Sequence, residues 1–154
     1  MVINEVGRYK LMFDATALTV RCPKGTAKFS GQATSKLPKL YIASSMGRPV
    51  YVGITKQSMR SRLRLGWTAD GASGYYGYAW RHGLTEADLD VWCQTDPPVE
   101  NSCVDLETVE AEIVYLIRKS GQWPPFQTEI HFHQSNAEHR RVAEAIGAKF
   151  GLMP

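Results

Sequence analysis

The stretch Lys39–Thr55, KLYIASSMGRPVYVGIT, holds two short β-rich runs, LYIAS and VYVGI, separated by Ser45-Met46-Gly47-Arg48-Pro49. Branched and aromatic residues on either side of a segment bearing Gly and Pro predict an antiparallel hairpin. The hairpin carries two tyrosines, Tyr41 and Tyr51, ten residues apart. Directly after it, Ser58-Met59-Arg60-Ser61-Arg62-Leu63-Arg64-Leu65 predicts a helix, with Ser58 as N-cap and Met59 and Leu63 one turn apart on one face.

Working outward, Gly66–Gly77 reads as loop, Tyr78–His82 as a short helix closed by Gly83, and Leu89–Thr95 as a strand ended by Pro97-Pro98. Asp105–Ser120 is amphipathic: Leu106, Val109, Ile113, Leu116 and Ile117 fall on one helical stripe and Gly121 follows as a stop. Gln127–His133 suggests a final strand, and Ser135-Asn136-Ala137-Glu138 a capping box opening a helix through about Lys149. Upstream, residues 8–29 read as a hairpin or edge strand around a Pro23-Lys24-Gly25 turn, and Gly31–Pro38 as a polar connector. The expected fold is α+β: a small three-stranded antiparallel sheet flanked by helices, with an N-terminal β-type extension and a C-terminal helix.

The 154 residues suit one domain, and 44% hydrophobic with 21% charged residues argues against disorder or a fibrous architecture. The expected organisation is a module over 39–130, a basic extension over 1–38 and a helical tail over 131–154. No apolar run approaches the roughly 18 residues of a membrane span, and Met1–Lys10 has no signal-peptide apolar region, so a cytoplasmic protein without membrane partners is expected. Cys22, Cys93 and Cys103 form no CxxC pair and are expected to be buried or incidental thiols.

The net charge of +3 conceals a segregation. The first forty residues carry seven Lys or Arg against two acids, residues 41–70 five against one, and Glu86–Glu112 nine acids with no Lys or Arg. Cations for phosphates beside carboxylates for a metal fit a nuclease; a solvated acidic face fits the same run equally well.

With Tyr41, Tyr51-Val52-Gly53 and an Arg62-Leu63 helix in this order, the chain resembles the GIY-YIG nuclease module, although its first motif reads Lys39-Leu40-Tyr41. Trp80-Arg81-His82-Gly83 is similar to the end of that module's second helix. Glu110-Ala111-Glu112 before Tyr115 is similar to the segment that supplies its metal-binding glutamate, and Pro124-Pro125-Phe126-Gln127 stands where the module has Pro and then Asn. The resemblance implies Mg²⁺ (or Mn²⁺) held by Glu112 and the scissile phosphate gripped by Arg62. It also implies Tyr41 and Tyr51 on the attacking water, with Tyr41 favoured as base, His82 as proton carrier or phosphate contact, and Gln127 in place of the Asn. Periodicity alone does not separate Arg62 from Arg60, or Glu112 from Glu110, because each pair flanks its apolar stripe.

Arg48, Lys56, Arg60, Arg64, Trp67 and Arg81 are the further candidate nucleic-acid contacts. Gly74-Tyr75-Tyr76-Gly77-Tyr78 reads either as a nucleotide-contacting aromatic segment or as loop packing over the sheet. His131-Phe132-His133 puts two imidazoles on one strand face, short of a metal site. The functional expectation is a Mg²⁺-dependent DNA endonuclease acting on double-stranded DNA rather than RNA. A compact restriction-type enzyme, with homodimerisation open, is the first form; a structure-specific repair nuclease and a catalytically silent nucleic-acid binder are the alternatives. The basic segment Arg8–Lys39 is expected to lie beside the module and contact DNA.

Overall fold

A computed structural model describes the backbone of residues 1–154 and every side chain but that of Asn101. Five strands, β1 (Ile3–Phe13), β2 (Leu18–Arg21), β3 (Lys39–Ser45), β4 (Arg48–Thr55) and β5 (Glu86–Gln94), form one antiparallel sheet in the order β2-β1-β5-β3-β4. The helices are α1 (Met59–Thr68), α2 (Trp80–Gly83), α3 (Val104–Lys119) and α4 (Ala137–Ala148). The α+β class is as expected, but the sheet has five strands rather than three. The N-terminal extension supplies the other two, and β1 pairs along β5 from Ile3 with Gln94 to Met12 with Glu86.

The central hairpin forms as its sequence dictates. Met46 and Gly47 both take positive φ, 53° and 76°, the geometry of a two-residue turn that matches the right-handed twist of the strands it joins. A register shift after Ala43, which pairs with Tyr51 while Ser44 pairs with Pro49, leaves Val50 as the extra residue beside the turn. The first hairpin turns at Asp14–Ala17 instead of the expected Pro23-Lys24-Gly25. The Asp14 carboxylate accepts hydrogen bonds from the backbone N–H groups of Thr16 and Ala17, both at 2.8 Å, and closes the turn without glycine.

Apolar residues cover both faces of the sheet. On one, Tyr9, Leu11, Phe13, Tyr41 and Leu89 meet Met59, Leu63 and Trp67 of α1 and Trp80 of α2. On the other, Leu40, Ile42, Val52 and Trp92 meet the predicted stripe of α3 and Ala143 and Ile146 of α4. Because β1 carries core residues on the first face, residues 1–36 cannot be removed as a detachable DNA-binding arm. The cations of β1 are also engaged: Arg8 pairs with the fully buried Asp90 at 3.0 Å, and Lys10 lies 3.7 Å from Asp88 and 3.8 Å from Glu86. The basic and acidic runs that stand apart in sequence thus meet as neighbouring strands, with both β1 cations beside carboxylates of β5.

Two C-terminal expectations change. The capping box is shifted by one residue: Asn136 caps α4, accepting from the His139 N–H at 3.0 Å while His139 Nδ1 accepts from the Asn136 N–H at 3.3 Å. His139 Nε2 lies 2.9 Å from Asp105, whose other oxygen accepts from Gln94, so the cap also ties α4 to α3 and β5. Gln127–His133 is not a strand. Ile130 packs against the core on the α3 side of the sheet, while Glu129, His131, Phe132 and His133 are all exposed.

Candidate active site

Strand β4 is the sheet edge beyond β3, and α1 lies over one face of the sheet while α3 lies over the other. A cleft of about 370 Å³ opens where both reach that edge, lined by Tyr51, Gly53, Lys56, Arg62, Glu107 and Glu110 among others. Three of the predicted site residues, Tyr51, Arg62 and Lys56, therefore share one cleft. Among the candidates on α3, Glu110 lines it and Glu112 does not. Glu110 is 4% exposed, because it sits on the flank of α3 turned towards the sheet edge.

Tyr41 and Tyr51 stand on the same sheet face, diagonally across the hairpin, with ring centroids 6.0 Å apart. Gly53 makes this possible. A Cβ there would sit 2.4 Å from Cζ of Tyr41 and 2.7 Å from Cε1 of Tyr51. Tyr41 is fully buried, its hydroxyl 2.8 Å from that of Tyr78, and burial raises its pKa well above the usual tyrosine value. It does not line the cleft, so the favoured base does not stand where it could take a proton from an attacking water. Tyr51 is half-buried and lines the cleft; burial raises its pKa too, with the Arg62 charge working against the rise.

Arg62 rests on aromatic rings. Its guanidinium carbon lies 4.7 Å from the Tyr78 ring centroid and 5.5 Å from that of Tyr75, and Nη1 donates to the Tyr75 hydroxyl at 2.9 Å. That is the one hydrogen bond its side chain makes among the described residues, so most of its planar fork is free. Burial opposes the Arg62 charge, but the surrounding tyrosines Tyr41, Tyr78 and Tyr75 outweigh it and raise its pKa.

Tyr75 and Tyr78, which the sequence marks only as part of an aromatic segment with two open roles, hold Arg62 in the structure. The clue is the glycines around them: a Cβ at Gly66 would lie 2.1 Å from the Tyr78 ring, and one at Gly77, whose φ is +79°, would lie 2.2 Å from the Gly66 carbonyl oxygen. Both glycines are needed for the loop to lay Tyr78 against α1.

Glu110 makes no hydrogen bond or ion pair among the described residues. Burial, followed by the neighbouring charges of Glu107 and Glu129, pushes its pKa up to about 8. Glu107 is held by His133 Nε2 at 2.7 Å, and His131 lies 3.5 Å from Glu129. No three His, Cys, Asp or Glu side chains among the described residues are grouped closely enough to enclose a metal ion. A buried carboxylate with two further carboxylates nearby still fits a hard cation bound by one or two protein oxygens and completed by water.

The other predicted site residues lie elsewhere. Arg81 is 8% exposed and donates to the carbonyls of Gly66 at 2.8 Å, Ala69 at 2.9 Å and Tyr76 at 3.3 Å, a clamp on the 69–77 loop rather than a phosphate contact. His82 is exposed, does not line the cleft, and accepts from Arg81 Nε at 3.1 Å. Trp67 is buried, with its indole donating to the Asp14 carbonyl at 2.9 Å, so it belongs to the core. Arg48 is exposed at the hairpin tip, outside the cleft. Arg60 and Arg64 lie on the far flank of α1, away from the cleft.

Gln127 is not in the cleft but bonded to the strand beside it. Its amide accepts from the Val52 N–H at 2.8 Å and donates to the Val52 carbonyl at 3.0 Å, while the Phe126 N–H donates to Val50 at 3.1 Å. One side chain thus covers the β4 edge as a strand would. Lys39, the departure in the first motif, is fully buried and donates to the Ser35 and Leu37 carbonyls, both at 2.7 Å, stapling the preceding loop. All three cysteines are free thiols; Cys22 and Cys93 are buried and Cys103 partly so. Among the described residues, no helix is long and apolar enough to cross a membrane.

Compared with known proteins, the chain matches no family model, no curated protein and no solved structure.

Proposed function

We propose that the chain is a DNA endonuclease of the GIY-YIG kind, dependent on a divalent cation and hydrolysing phosphodiester bonds in the cleft at the β4 edge. The observation that carries this reading is Glu110, a carboxylate 4% exposed and without a protein partner, in the same cleft as Arg62 and Tyr51. A buried carboxylate is costly unless a proton or a cation neutralises it. Mg²⁺ or Mn²⁺ held at Glu110, with Glu107 near, would supply Lewis-acid stabilisation of charge building on the phosphoryl oxygens. Glu110 replaces Glu112 as the carboxylate of this reading.

The remaining roles belong to the chain. Arg62 presents its unengaged N–H groups to the scissile phosphate, held in place by the Tyr75 hydroxyl and the Tyr78 ring. Tyr51 is the hydroxyl that orients the attacking water, and Arg62 favours its ionised form. Tyr41 acts through Tyr78 as a positioning residue. Lys56 adds charge at the mouth of the cleft. With its specificity in its own surface, a compact restriction-type enzyme remains the form proposed.

Supercoiled plasmid incubated with the pure protein and Mg²⁺ or Mn²⁺ tests this. Nicking abolished by EDTA is expected. Arg62→Ala and Glu110→Ala should each lower the rate about 10²- to 10³-fold, the usual loss for one transition-state contact, while Glu112→Ala cuts near the wild-type rate. If no divalent ion supports nicking, a nucleic-acid binder without catalysis replaces this reading. Loss of cutting in Glu112→Ala but not in Glu110→Ala would reject the site as drawn.

A further inference from the structure

A larger concavity, of about 720 Å³, lies on the other flank of α1, bounded by β2 and residues 27–34. Its interior is apolar, with Leu18, Val20, Phe29, Leu63 and Trp67 in its wall. Its rim carries Lys28, Arg60 and Arg64 and no Asp or Glu. All three cations are exposed, and their side chains make no hydrogen bond or ion pair among the described residues.

We propose that this groove takes one unpaired nucleotide of the substrate, with its base in the apolar interior and its flanking phosphates on Arg60, Arg64 and Lys28. The identity of the ligand rests on the nuclease reading above; the placement rests on three features of the groove. Its charge is of one sign, so its occupant is anionic. Its wall is largely apolar, which a sugar–phosphate backbone does not need and against which a flat base can pack. Its position is set by helix geometry. At 100° per residue, Arg62 lies on one flank of the buried Met59/Leu63 stripe and Arg60 and Arg64 on the other, with Ser61 and Leu65 on the exposed crest between. A strand crossing that crest spans roughly one helix diameter, ~10–12 Å. The unpaired nucleotide therefore lies within a few positions of the phosphodiester at Arg62.

Extruding a base costs least where it is already mismatched or bulged, so the groove makes the protein prefer such sites and favours the structure-specific nuclease over the restriction-type form. The test is an anisotropy titration of the full chain, in EDTA, with a labelled duplex carrying one bulged thymidine and with its fully paired counterpart. The bulged duplex should bind at least about tenfold more tightly. The preference should vanish when the bulged base is replaced by an abasic site, in Arg60→Ala/Arg64→Ala, and in Ala27→Trp, an exposed position whose new ring obstructs the groove. Equal affinity for the two duplexes overturns the proposal, and so does a preference that survives the abasic site or Ala27→Trp. Glu110→Gln should keep the preference while losing cleavage. A wild-type protein that prefers the bulge yet fails to cut with any divalent ion removes the nuclease reading and leaves the groove; one that cuts without the preference removes the groove alone.

Discussion

Gln127 pairs with Val52 through both ends of its side-chain amide, at 2.8 Å and 3.0 Å, as a neighbouring strand would. Val52 lies between Tyr51 and Gly53, so this contact fixes the stretch of edge strand that presents the cleft tyrosine. Gln127→Ala leaves the Val52 N–H and C=O without their partner, at a cost of about 1–3 kcal/mol. For a chain of this size each kcal/mol moves Tm by roughly 2–4 °C. Gln127→Asn, one methylene shorter, should recover only part of the loss. Thermal unfolding of the three proteins measures this, and a Tm unchanged in Gln127→Ala would show that the pairing contributes nothing.

Glu110 gives the protein a pH dependence opposite in sign to that of a salt-bridged carboxylate. An ordinary Glu titrates near 4.5 and the folded Glu110 at about 8. Between those values the native state keeps a proton that the unfolded chain has released, so stability falls as pH rises through this window and levels off above it. The fall is at most on the order of 5 kcal/mol, at about 1.4 kcal/mol per unit. In EDTA, Tm should decline from pH 5 to pH 8; Glu110→Gln should remove the decline and exceed the wild type at pH 8. Mg²⁺ should raise the wild-type Tm at pH 8 and not that of the variant. Asp105 supplies the acid limb. Burial alone would raise its pKa, but His139 and Gln94 outweigh burial and lower it, so its contribution is lost as pH falls below the usual carboxylate range.

How much of this was legible in the sequence depends on the range of the interaction. The hairpin at Met46-Gly47, the Ser58 cap and the stripe of α3 are local, and each follows from a few neighbouring residues. The pairing of β1 with β5 joins residues about eighty positions apart, and nothing in either strand names its partner. The Asp14 turn was legible in principle, but Pro23-Lys24-Gly25 offered the stronger local signal. Glu110 and Glu112 were indistinguishable by periodicity, since both flank the apolar stripe. What separates them is the sheet edge beside Glu110, a product of strand order. Arg81 and Gln127 read as site chemistry because of their polar groups, yet each spends most of those groups on the backbone.

Arg81 allows that last distinction to be measured. If it clamps the 69–77 loop, Arg81→Ala removes three donors from the Gly66, Ala69 and Tyr76 carbonyls and loosens Tyr75 and Tyr78, and with them Arg62. Hydrogen exchange in that loop should accelerate and Tm should fall by several degrees. The slope of log K against log salt for DNA binding should stay the same, whereas a phosphate-contacting cation would reduce it by about one. Arg64→Ala is the comparison, with the opposite pair of outcomes: Tm held and the slope reduced.

Tyr41 and Tyr51 differ in burial, and single hydroxyl deletions separate their roles. Tyr51 faces the cleft, so Tyr51→Phe should keep the fold and DNA affinity while lowering the cleavage rate about 10²-fold or more, in the range of a lost general base. Tyr41→Phe instead leaves the Tyr78 hydroxyl without its 2.8 Å partner inside the core. Its main effect should be a stability loss of about 1–3 kcal/mol, with a smaller drop in rate as Tyr78 and Arg62 shift. The pH–rate profile distinguishes them further: ionisation of Tyr51 should make the wild-type rate rise with pH on the alkaline side, a rise that Tyr41→Phe should keep and Tyr51→Phe should abolish. Cleavage lost in Tyr41→Phe at unchanged Tm, with Tyr51→Phe active, would return the water-directing role to the buried tyrosine and require the cleft to open before each turnover.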